Sequence, residues 1–274
     1  PLASSASATQ AGPSAVSETV AEQPAAVSRQ IVAGWSAFSI DIESNPADGD
    51  RIFKIGAVRS DAEVVVSLST GRIDSRDVVR RVDDAAQGAR LLVGHNLRRH
   101  DVPLLRRQYP GLGCLNLPVI DTLELSAIAF PANPYHRLVK GYKLLSDSRN
   151  DPVKDARLTL DLLVEEVDAL FEMQRADPDW VSLLHFLLRD EAPLAAALEA
   201  VRNASAPSMA AAVQSAIGRF DKICCSTRLA QFAETDALAA SEHRFALAYA
   251  LGWIRVSGGN SVLPLWVHSA IPEV

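Results

Sequence analysis

The chain has 274 residues, room for one large domain or two modest ones, and its 48% hydrophobic content is ample for a globular core. No apolar run reaches the ~18 residues needed to cross a bilayer, and a net charge of −6 excludes a protein that coats nucleic acid by bulk positive charge. Three cysteines, Cys114, Cys224 and Cys225, form no CxxC pair and no disulfide framework, which fits a reducing cytoplasm.

Residues 1–30 hold almost no large apolar side chains, so they cannot bury enough surface to offset ordering entropy and are expected to be a flexible lead-in. The Ala/Ser/Pro-rich start lacks the basic and apolar blocks of a signal peptide, and without an initiator Met it reads as part of something longer. From Trp35 the pattern changes. WSAFSIDIE predicts a buried strand ending in polar residues, and RIFKIGAVRS and AEVVVSLST predict two more, separated by short polar turns. SRDVVRRVDDAAQGA has helical spacing with Ser75 as candidate N-cap. ARLLVGHN predicts a short strand, RRHDVPLLRRQY a helix, and LPVIDTLELSAIAF a strand passing into a helix.

An irregular basic stretch, PANPYHRLVKGYKLLSDSRN, precedes the longest helix, for which Asp151 is a good N-cap and Pro152 suits the first position. After Asp177-Pro178 the composition is almost wholly helical. Strands first, then strand–helix alternation, indicate an α/β domain with a mixed sheet flanked by helices over 31–176, followed by a smaller helical region over 177–274.

Four acids stand out by location. Asp41 and Glu43 lie two apart at a strand end, so both point to one face. Asp101 follows a short strand, and Asp155 begins the long helix. Close carboxylates raise one another's pKa unless a cation compensates. Such hard oxygen ligands suit Mg²⁺ or Mn²⁺. Two such ions can activate a water and stabilise the leaving oxygen of a phosphodiester.

FSIDIES, GHNLRRHD and NDPVKDARLTLDLL, in this order, resemble the three motifs of the DnaQ-like (DEDD) 3′→5′ exonuclease superfamily, over roughly residues 35–175. The resemblance implies an RNase H-like sheet, two divalent metal ions held by Asp41, Glu43, Asp101 and Asp155, and nucleic acid as substrate, with single-stranded DNA 3′ ends favoured. The family's general-base histidine falls at Asn150, and the tyrosine of the other branch at Asp151. Asn cannot accept a proton at neutral pH, so activity is less firmly implied than fold, and a binding module is the alternative.

Arg98 and Asn96 before Asp101, with Arg137, Lys140 and Lys143 in the basic loop, are candidates for phosphate contact, and Tyr135 and Tyr142 for stacking. Arg106 and Arg107 read equally as a solvated helix face, and His136 as a loop residue near phosphate. His185, on an apolar stripe, reads as structural. YHRLVKGYKL together with AYALGWIRVSGGNSVLPLWV resembles the region ahead of the motor in some bacterial RecQ-type helicases, which implies a helicase partner.

Overall fold

The computed structural model describes residues 24–133, 151–208, 211–212 and 241–257. In AFSIDIESN the apolar side chains fall at every second position from Phe38, and this segment forms β1 (Ala37–Asn45). β2 (Arg51–Arg59) pairs antiparallel with β1, and β3 (Val65–Ser69) pairs antiparallel with β2. β4 (Leu91–Gly94) runs parallel to β1, and β5 (Val119–Asp121) parallel to β4. The result is a five-stranded mixed sheet in the order β3-β2-β1-β4-β5, as the run of strands followed by alternation predicts. Parallel neighbours need crossovers, and α2 (Ser75–Ala86) and α3 (Val102–Gln108) lie on those connections.

Alternation along the strands sorts the interior into two cores. Phe38, Ile40 and Ile42 of β1 join Leu92, Val78, Val82 and Leu105 on the side of α2 and α3. Ala37, Val93 and Ile120 face the other side. There they meet α1 (Pro24–Gly34), α4 (Thr122–Ala129), α5 (Pro152–Ala176), α6 (Pro178–Leu188), α7 (Ala192–Arg202) and α8 (Ser241–Ser257). The described helices beyond residue 176 therefore share one apolar cluster with the sheet. His185 is buried between α6 and α7, where its Nδ1 lies 2.8 Å from the Arg202 guanidinium.

Two local expectations are corrected. Residues 24–30, expected within a flexible lead-in, are helical: α1 docks on α5, with Ser28 Oγ donating to Asp168 Oδ1 at 3.2 Å and Val32 buried. Tertiary packing of one narrow face stabilises a helix too poor in large side chains to announce itself. The cap of α2 is Asp74 rather than Ser75, because Asp74 has the extended backbone of a cap and its carboxylate accepts from the Arg76 N–H at 2.8 Å. Cys114 is buried, and burial pushes its thiol up to about 12, leaving it protonated and inert. Cys224 and Cys225 lie outside the described residues. Among the described residues no helix is long and apolar enough to cross a membrane.

Candidate metal centre

Asp41 and Glu43 sit on the face of β1 that looks toward α5, and both are half-buried. Asp155 projects from the first turn of α5 and is buried at 6% exposure. One carboxylate oxygen from each of the three lies within 4.8 Å of the others. Carboxylates at that spacing repel one another when ionised, and a cation between them would offset the repulsion. This buried acidic cluster has the donor set to hold a metal ion.

What brings α5 to β1 is a glycine. Gly56 of β2 pairs with Asp41 across the ladder. A Cβ at Gly56 would stand 2.2 Å from the backbone C of Pro152 and from the N of Val153. Only a residue without a side chain lets the first turn of α5 lie directly on the sheet. That turn is fixed by Asp151, whose carboxylate accepts from the N–H groups of Val153 at 3.1 Å and Lys154 at 3.3 Å. Asp155, one turn on, is thereby delivered to the two β1 acids. A glycine inside a strand pattern is the sequence signal for such close approach, but its partner helix is not written beside it.

Asp101 stands next to this trio without belonging to it. It ends a π-helical turn over Leu97–Asp101 and is 4% exposed. His100 Nδ1 lies 2.6 Å from its Oδ1. Burial pushes the Asp101 carboxyl up to about 6; the His100 bond opposes this, while the charges of Asp121 and Glu43 add to it. The turn that carries Asp101 packs against β1, the strand of Asp41 and Glu43.

Asp121 organises this side of the site. Its Oδ1 accepts from the N–H of Asn96 at 2.8 Å and of Leu123 at 3.0 Å, and its Oδ2 from the N–H of Arg98 at 2.9 Å. One buried carboxylate thus caps α4 and holds the turn leading to Asp101, in which Asn96 adopts the left-handed conformation with φ 64°. Sequence reasoning passes over Asp121, although an Asp-Thr step before a helical run is an N-cap signature. It also passes over Lys54, which lies opposite Glu43 in the β1–β2 register.

Arg98, expected at the substrate, has its guanidinium committed within the protein. It donates to the Val119 carbonyl at 3.0 Å and to Glu191 at 3.2 Å, and pairs with Glu124 at 3.6 Å. Glu124 on α4 and Glu191, the N-cap of α7, supply the countercharge that phosphate was expected to provide. Arg106 and Arg107 are exposed, reaching the carbonyls of Leu115 and Gly49. Asn150, Arg137, Lys140 and Lys143, with Tyr135, His136 and Tyr142, lie outside the described residues. A separate groove of about 620 Å³ between α1, the β2–β3 turn and α5 is lined by Arg29, Glu63 and Arg157 among others, and by none of the four acids. No known family model, curated protein or solved structure matches the chain.

Proposed function

We propose that this protein is a divalent-metal-dependent 3′→5′ exonuclease with an RNase H-like fold of the DnaQ-like type, acting on nucleic-acid ends, with DNA favoured over RNA. The observation that carries the reading is the convergence of Asp41, Glu43 and Asp155, from a strand and a helix far apart in sequence, to within 4.8 Å. All-carboxylate coordination suits Mg²⁺ or Mn²⁺. When bound, a pair of such ions supplies an activated water and neutralises charge on the reacting phosphate. Asp41, Glu43 and Asp155 would hold them, and Asp101, beside Glu43, would complete the set. The mixed sheet with helices on both faces is consistent with the RNase H-like assignment. A helicase as partner belongs to the same reading, through the resemblance around residues 135–144 and 248–267.

The second reading is a binding module that retains the fold without turnover. Two features favour it: Asn150 stands where the family has its general base, and the Asp101 carboxylate is engaged by His100. Loss of a general base typically costs ~10²–10⁴ in rate. Cleavage of 3′- and 5′-labelled single-stranded DNA with Mg²⁺ or Mn²⁺ separates the two. Stepwise shortening from the 3′ end, abolished in Asp41→Ala, is the expected outcome. Silence from the native sequence with activity gained in Asn150→His would give the second reading precedence.

A further inference from the structure

Asp101 ends the one π-helical turn among the described residues, and the chain enters that turn through Asn96 in the left-handed region. Such backbone persists only where its surroundings over-determine it. Two sets of contacts do so here. Asp121 accepts from the backbone N–H of Arg98, in the middle of the turn, at 2.9 Å. The Arg98 side chain then reaches three other elements: the Val119 carbonyl of β5 at 3.0 Å, Glu191 at 3.2 Å and Glu124 of α4 at 3.6 Å. Glu191 comes from 93 residues away, beyond the long helix. Although it stands at the N-cap of α7, its carboxylate makes no capping hydrogen bond to that helix. Leu194, Leu198 and Val201 already seat α7 in the apolar core. The ion pair is shielded, with side-chain exposures of 32% for Arg98 and 16% for Glu191, so solvent screens it less than a surface pair.

We propose that Arg98 is a positioning residue for Asp101, anchored from the helices after residue 176 by Glu191. The inference rests on the reading of the carboxylates as a metal site. A guanidinium carries five N–H donors in a rigid planar fork, so it can serve three acceptors at once and fix its own direction, which a lysine ammonium on a flexible stem does not. Arg98 and Asp101 belong to the same turn, so anchoring one restrains the other. Asp101 lies outside the Asp41–Glu43–Asp155 trio, and the placement of its turn decides whether its carboxylate serves an ion held there. Glu191 thereby makes α7 a support of the site as well as a part of the core.

Calorimetric titration with Mn²⁺ tests this as a double-mutant cycle over the native protein, Glu191→Ala, Asp101→Asn and the double variant. Glu191→Ala is expected to weaken Mn²⁺ binding ~10–100-fold in the native background. In the Asp101→Asn background it is expected to change nothing, since no Asp101 carboxylate remains to be positioned. Glu191→Gln, which keeps an acceptor for Arg98, is expected to lose less than Glu191→Ala. Unchanged affinity in Glu191→Ala overturns the proposal, as do equal losses in both backgrounds, which would mean that Glu191 acts on the fold as a whole. If circular dichroism shows Glu191→Ala unfolded, the cycle is run with Glu191→Gln and judged by the same outcomes. Native protein and Asp101→Asn binding Mn²⁺ equally well would leave the trio as a metal site and overturn the role of Arg98. Native protein that binds no Mn²⁺ would instead remove the metal-site reading, and the proposal with it.

Discussion

Glu166 buries a carboxyl group on α5, at 0% exposure, with Oε1 accepting from Ser126 Oγ of α4 and Oε2 buried without a hydrogen-bond partner among the described residues. Burial pushes its pKa well above the usual carboxylate range, with the Ser126 bond opposing the shift. The folded protein therefore keeps this proton at pH values where the unfolded chain has released it. Stability from this group is fully present below about pH 4.5 and is lost as pH rises toward the raised value, by about 1.4 kcal/mol per pH unit. Glu166→Gln, which retains shape and an acceptor for Ser126, is expected to remove that slope. Urea unfolding of both proteins at pH 5 and pH 8 checks it; parallel losses in the two would sink the idea. At this scale the sequence is legible for Asp41 and Glu43, because two acids closing an apolar strand contradict its pattern and so stand out. Glu166 sits among other acids in VEEVDAL, and which of them is buried depends on a helix packed from elsewhere.

The meeting of α5 with the sheet turns on Gly56, and a methyl group there has nowhere to go but into the helix backbone. Gly56→Ala is expected to lift the start of α5 and carry Asp155 away from Asp41 and Glu43. Repacking of this kind costs roughly 1–3 kcal/mol, and misplaced support of a metal ligand weakens affinity ~10–100-fold. Calorimetric titration with Mn²⁺ measures this, with Gly71→Ala as control, since nothing lies within 4 Å of a Cβ at Gly71. Unchanged Mn²⁺ affinity in a folded Gly56→Ala protein would contradict the account. The strands themselves are legible from alternation, and α5 from its cap, proline and apolar stripe. The seat at Gly56 is not, because it is a property of a pairing between segments rather than of either segment alone.

Over the whole molecule, the larger core runs from Ala37 and Val93 of the sheet through α4 and α5 to α6, α7 and α8, with Trp180 inside it at 1% exposure. Helices that complete the same core as the strand carrying two metal-site acids should unfold with it. Far-UV circular dichroism and tryptophan fluorescence are expected to report one coincident urea transition for the native protein. Trp180→Ala should move that single transition by ~3–5 kcal/mol. Two separated transitions would instead mark the helices after residue 176 as an independent folding unit. The helical character of that region is legible in composition, but its attachment is not, because apolar helices are equally at home in a core of their own.

α5 is 25 residues long, about 38 Å at 1.5 Å per residue. Asp155 lies near one end; at the other, Asp177 accepts from the Trp180 N–H at 3.2 Å and from the Arg255 guanidinium at 3.0 Å. A rod pinned at both ends and buried along one face of its middle gives local opening little room, so its amides are expected to exchange with solvent chiefly when the whole molecule opens. A cation held at the cluster would act as a thermodynamic reservoir for the entire chain: each tenfold rise of free ion above its dissociation constant would add about 1.4 kcal/mol to a structure in which most residues never approach it.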